Sequence, residues 1–140
     1  MEYPRSPRKI FAIHGDVDKL VPDKNLSIRQ GALEEIRQTL RDLQTDHLDL
    51  LNIHSVDSEA DIAKLSEKGN LIDLVQKMKE QKVTRFIGFS CHSKAILVKT
   101  MAEKGIFDNM LVAMNQYNGN TENRQDTGFA AAKQHGVGIR

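Results

Sequence analysis

Apolar residues fall in two kinds of run along this chain. Short β-type runs occur at Ile10–Ile13, Leu48–Ile53, Arg85–Phe89, Met110–Met114 and Val137–Ile139, each flanked by polar residues or glycine that can end a strand. Between them the apolar spacing changes to threes and fours. Leu33, Ile36, Leu40 and Leu43 define one helical face, with Ser27 as the expected N-cap. Leu71, Leu74, Val75 and Met78 follow the i, i+3, i+4, i+7 rule behind Asn70, a second expected cap. Ile96, Leu97, Thr100 and Met101 suggest a third helix, capped by Ser93 and closed by Gly105 in a left-handed turn. A fourth, alanine-rich helix is expected over Phe129–Lys133, stopped by Gly136.

Strand starts are separated by roughly 25 to 38 residues, the size of a βαβ unit. Five strands alternating with four helices imply a parallel sheet. Two architectures bury such a sheet, the open doubly wound fold and the eight-stranded (β/α)8 barrel. The sequence has neither GxGxxG nor GxxxxGK[ST], the phosphate turns of nucleotide-binding doubly wound sheets. A barrel instead places its chemistry at the C-terminal strand ends. Those ends carry His14, then His54, then Ser90 with Cys91 and His92, then Asn115 with Gln116. The barrel is therefore the expected fold. At 140 residues the chain supplies about five of eight strands, against a typical barrel of about 250 residues, so the expectation is one incomplete barrel domain over residues 1–140.

Composition narrows the partners without naming the chemistry. Twenty Lys and Arg against nineteen Asp and Glu leave a formal charge of +1, which removes the electrostatic case for nucleic acid or an acidic membrane. The apolar run Ile10–Ile13 is too short for a signal-peptide core, and no segment approaches a membrane span. Cys91 is the single cysteine, so nothing calls for an oxidising compartment and a cytoplasmic location is the default expectation.

The most specific stretch runs from Thr39 to His54. Thr39-Leu40, Leu43, Thr45-Asp46, Asp49 and His54 keep the spacing of a helix end, a tight connection and a strand that finishes on histidine, with His47 where a tyrosine is usual. About 31 residues further on, Lys79–Ser90 reads KEQKVTRFIGFS, similar to a second motif of the same family, Val-x-x-Ile-Gly-Val-Ser-Asn behind a lysine- and glycine-rich helix end. Together these resemble the aldo-keto reductase family. The likeness extends through Phe107 to Tyr117-Asn118 and to Gly136-Val137, and corresponds to the third to seventh strands of that barrel.

The resemblance implies an NADP(H)-dependent oxidoreductase that transfers hydride to an aldehyde or ketone, or from an alcohol, with an aspartate, a tyrosine, a lysine and a histidine as its catalytic groups. Of these, the histidine maps onto His54, which would orient the carbonyl or assist proton transfer. The lysine place falls on Gly15, beside His14, and Met1–Arg8 is too short to hold the aspartate and tyrosine with their strands. Arg140 falls inside the seventh strand, before the region that in the family grips the adenosine phosphate. The expectation is an interior piece of a reductase, catalytically incomplete by itself.

The resemblance also assigns cofactor contacts. Ser90-Cys91 occupies the place of a Ser-Asn pair that bonds the nicotinamide carboxamide, although a thiol is a weak donor beside an amide. For the glutamine that underlies the nicotinamide two registers stay open: Tyr117-Asn118 as the family's Tyr-Asn pair puts Met114 in the slot, whereas Gln116, with Asn115 beside it, is the residue of the right type. Asp49 is expected to be structural, Asp46 to cap the turn into its strand, and His47 to face solvent. Two further readings remain: a non-catalytic partial barrel that self-associates through its open strand edges at Ile10–Ile13 and Val137–Ile139, and a zinc hydrolase using His14, His54 and His92. No metal is assigned to the first of these or to the reductase.

Overall fold

The computed structural model describes residues 9–14, 27–112 and 125–140. In chain order the elements are β1 (Ile10–His14), α1 (Ile28–Asp42), β2 (Leu48–His54), α2 (Glu59–Leu65), α3 (Leu71–Glu80), β3 (Thr84–Ser90), α4 (Ala95–Ala102), β4 (Asn109–Leu111), a π-turn (Gln125–Phe129) running into α5 (Ala130–Gln134), and β5 (Gly138–Ile139). The five strands form one sheet in the order β1-β2-β3-β4-β5, every neighbouring pair parallel. A doubly wound sheet reverses its strand order at a switch point; a strictly sequential parallel order is that of a barrel wall.

Local chemistry explains where the helices begin. Ser27 Oγ accepts from the Gln30 N–H at 3.1 Å while the Gln30 side chain accepts from the Ser27 N–H at 2.9 Å, a complete capping box for α1. Asn70 caps α3 through the Leu71 N–H at 3.0 Å. Gly105, at φ +70°, follows α4 in the left-handed conformation that few other residues adopt at low cost.

Four features differ from the sequence-based expectation. An additional helix, α2, lies between β2 and α3, capped by Ser58, whose Oγ accepts from the Asp61 N–H at 3.0 Å. Its signature, Ser-x-x-Asp, was present in the sequence, but seven residues give too short an apolar stripe to register. The N-cap of α4 is Lys94, because the Ser93 hydroxyl is drawn away to donate to the Asp57 carbonyl at 3.0 Å. That helix buries Ala95, Leu97, Val98, Met101 and Ala102, while Ile96 and Thr100 face outward. Leu43 lies beyond the end of α1 as its C-cap and is exposed.

Burial shows which face of the sheet the helices cover. Ile13, Leu51, Ile53, Ile87, Phe89 and Met110 are fully inaccessible and pack with Ile36, Leu65, Leu71, Leu74, Val75, Leu97 and Met101 in one core. Ile10 and Phe86, on the other face, are each 47% exposed. Across that face the register aligns Ala12, Asn52, Gly88, Asn109 and Gly138 in one row. The glycine is forced by closeness: a Cβ at Gly88 would stand 2.6 Å from Asn52 Oδ1 and 2.8 Å from the Asn109 carbonyl oxygen. This face is the inside of the barrel wall, where a closed barrel is filled with side chains.

Candidate active site

The C-terminal ends of the strands are stitched together by the loops that leave them. His54 ends β2 half-buried, and its Nδ1 lies 2.9 Å from Ser90 Oγ at the end of β3. The chain then turns sharply at Ser55, which adopts φ +58°. That left-handed turn aims the Ser55 N–H at Ser90 Oγ, 2.7 Å away, and the next N–H, of Val56, at the Ser90 carbonyl oxygen, 2.8 Å away. Asp57 completes the seam by accepting from the His92 N–H at 2.9 Å through Oδ1 and from Ser93 through its carbonyl. Two loops from adjacent strands are thus held by one serine and one aspartate.

The site residues expected from sequence fall into three groups. His54, Ser90 and Cys91 are brought together on β2 and β3. His92 joins them, its ring edge-on to that of His54 with centroids 6.4 Å apart. Asn115 and Gln116, with Met114, Tyr117, Asn118 and Gly15, lie outside the described residues. The backbone of His14 pairs with that of His54 in the sheet register. Ser55 and Asp57 were not singled out in the sequence; the polar run Ser55-Val56-Asp57-Ser58 signalled a turn, but not that its groups would reach the neighbouring strand.

Ser90 and Cys91 are both fully inaccessible. The Ser90 hydroxyl is engaged by His54 and Ser55, and the Cys91 sulfur faces the Lys94 carbonyl at 4.0 Å while its N–H donates to the Leu111 carbonyl. A carboxamide needs both a donor and an acceptor at the strand end. These two side chains alone do not fit one. Among the described residues no group of three or more His, Cys, Asp or Glu side chains converges as metal ligands would. No described helix is long and apolar enough to cross a membrane.

The opposite end of the strands has a different character. A cavity of about 630 Å3 opens there on the inner face, among Ile10, Leu50, Phe86, Asn109 and Arg140. Asp49 accepts from the Lys9 N–H at 2.9 Å and faces Arg85 at 3.4 Å. The Lys9 N–H foremost, and Arg85 after it, hold its carboxyl below the usual carboxylate range. Asp46 is likewise lowered, chiefly by its bond to His47 Nδ1 at 2.8 Å. Asp49 thus ties the start of β2 to the residue before β1. Barrel enzymes do their chemistry at the other end.

The sequence pattern of the aldo/keto reductase family matches residues 6–140. Among solved structures, an aldo-keto reductase from Bacillus halodurans superposes with a TM-score of 0.59 at 19% identity, over 79% of this chain and 34% of its own. Aldose reductase from Giardia lamblia gives 0.53 at 16% identity, over 94% of this chain and 55% of its own. The chain thus spans between about a third and somewhat over half of the length of these proteins. No curated protein matches it.

Proposed function

The chain belongs to the aldo/keto reductase family, and on that premise we propose that it contributes the carbonyl-facing part of an NADP(H)-dependent oxidoreductase acting on a small aldehyde, ketone or alcohol. The observation that carries this reading is His54. It stands at the C-terminal end of β2, with its ring held from the adjacent strand by Ser90, and the motif resemblance would make it the family's histidine. A half-buried imidazole at a strand end can orient a carbonyl substrate and share in proton transfer. On this reading Ser90, Cys91, Asn115 and Gln116 are the residues of this chain that would contact the cofactor. The family's lysine place falls on Gly15, and the resemblance puts the aspartate and tyrosine outside the matched stretch, so on this reading these 140 residues alone do not make the whole catalytic set. Removing one member of a set that acts together removes most of the rate.

The test is NADPH consumption with short-chain aldehydes by the 140-residue protein and by His54→Gln. The reading expects both to stay at the same background. Turnover that His54→Gln leaves untouched would sink the assignment of His54, and turnover that it abolishes would sink the claim of incompleteness.

A second reading has its own observation. Among the described residues β1 and β5 are the outer strands of the sheet, and Ile10 and Ile139 on them are 47% and 48% exposed. Unpaired strand edges of this kind recruit another chain. On this reading the protein self-associates edge to edge, and sedimentation of a monomer across a wide concentration range would exclude it.

A further inference from the structure

We propose that Ser90 is a positioning residue for His54: its buried hydroxyl donates to His54 Nδ1 and thereby keeps the imidazole proton on Nε2. The inference rests on the proposed function only for what the fixed nitrogen is used for; the hydrogen-bond argument is independent of it.

A serine hydroxyl has one proton to give and two lone pairs to offer. At Ser90 one lone pair is taken by the Ser55 N–H at 2.7 Å, which can only donate. The other contact is His54 Nδ1 at 2.9 Å. Were the proton on Nδ1, Ser90 Oγ would accept twice, and its own O–H would need a further acceptor in a place with no solvent access. Among the described residues Ser90 Oγ has hydrogen bonds to Ser55 and His54 alone. A buried donor without an acceptor is costly. The arrangement that satisfies the Ser90 hydroxyl has Ser55 N–H donating to Ser90 Oγ and Ser90 O–H donating to Nδ1, which puts the proton of a neutral ring on Nε2.

The geometry around this relay is over-determined. Ser55 sits in the left-handed region, at φ +58°, and the Val56 N–H binds the Ser90 carbonyl. The loop following His54 is therefore anchored to both the side chain and the backbone of Ser90. The strand-end serine that the family resemblance directs at a cofactor is here turned toward the histidine. A ring with this tautomer carries its donor at Nε2, the polarity that a carbonyl oxygen requires.

Long-range 1H–15N correlation spectra of protein labelled at histidine nitrogens test this without any cofactor or substrate, with His54 assigned by the resonance missing from His54→Gln. The expected result is a single His54 tautomer, bare at Nδ1 and protonated at Nε2. Ser90→Ala should move the Nδ1 resonance toward the average of two exchanging tautomers, and Ser90→Thr, which keeps the hydroxyl, should restore it. A proton on His54 Nδ1 in the unaltered protein overturns the proposal whether or not the Ser90 variants fold, as does a folded Ser90→Ala whose His54 resonances do not move. A fixed tautomer in a protein found to have no role in carbonyl chemistry would overturn the proposed function and leave this inference standing.

Discussion

Replacing Gly88 with alanine is expected to damage the barrel wall directly beneath the site. The new Cβ would meet Asn52 Oδ1 at 2.6 Å, the Asn109 carbonyl oxygen at 2.8 Å and Asn109 Oδ1 at 2.9 Å. Real Cβ atoms do not come so close. The side-chain oxygen of Asn52 can turn only within a space in which the residue is 3% exposed, and the Asn109 carbonyl belongs to the backbone of β4, the paired strand. Relief therefore requires β3 and β4 to move apart. Overpacking of this kind costs about 1–3 kcal/mol. With a urea dependence of about 2 kcal/mol/M, the unfolding midpoint should fall by about 0.5 to 1.5 M. Adding Asn52→Ala removes the shortest contact and an acceptor that has no hydrogen-bond partner among the described residues. It leaves the 2.8 Å backbone contact, so it should recover less than half of the loss. Equilibrium urea titration followed by circular dichroism measures all three proteins. A midpoint for Gly88→Ala within about 0.2 M of the parent, less than half the smallest expected shift, would refute the close packing of Asn52, Gly88 and Asn109.

Three other perturbations follow from named contacts. Asp108 accepts from Lys79 Nζ at 2.7 and 2.8 Å and from the N–H of fully buried Ile87 at 2.9 Å; Asp108→Ala should cost about 1–3 kcal/mol through the stranded N–H, and Lys79→Met under about 1 because the ion pair is partly exposed, both read by urea titration. Because the Lys9 N–H and Arg85 depress Asp49 in the folded state, the unfolded chain takes up its proton first as pH falls. The stability that Asp49 contributes is therefore complete above about pH 4 and lost as pH drops through the folded value, so Asp49→Asn should destabilise at neutral pH and converge with the parent in strong acid. If the edges associate, Ile10→Lys with Ile139→Lys should shift sedimentation toward monomer, and an unchanged distribution would locate any contact elsewhere.

The wall of the barrel was legible because its signals are local. Ser27 and Asn70 announce helices, the alternating apolar runs announce strands, and the absence of a phosphate turn separated the barrel from the doubly wound sheet. Helix α2 and the true start of α4 were not legible. The first is seven residues long, and the second depends on Ser93 being claimed by Asp57, 36 residues away in sequence. At the site, the meeting of His54 and Ser90 could be expected from their positions at adjacent strand ends. The turn at Ser55 that engages the serine hydroxyl could not, because a positive φ at a residue other than glycine leaves no mark in composition.

The most direct test of the central claim is a 1H–15N correlation titration of the labelled 140-residue protein with NADP(H) and a small aldehyde. Weak, millimolar binding is expected, with shifts that gather at the C-terminal strand ends, on His54, Ser55, Ser90, Cys91 and His92. Shifts gathered instead around Ile10, Phe86 and Arg140, or none at millimolar ligand, would contradict a carbonyl-facing site at His54.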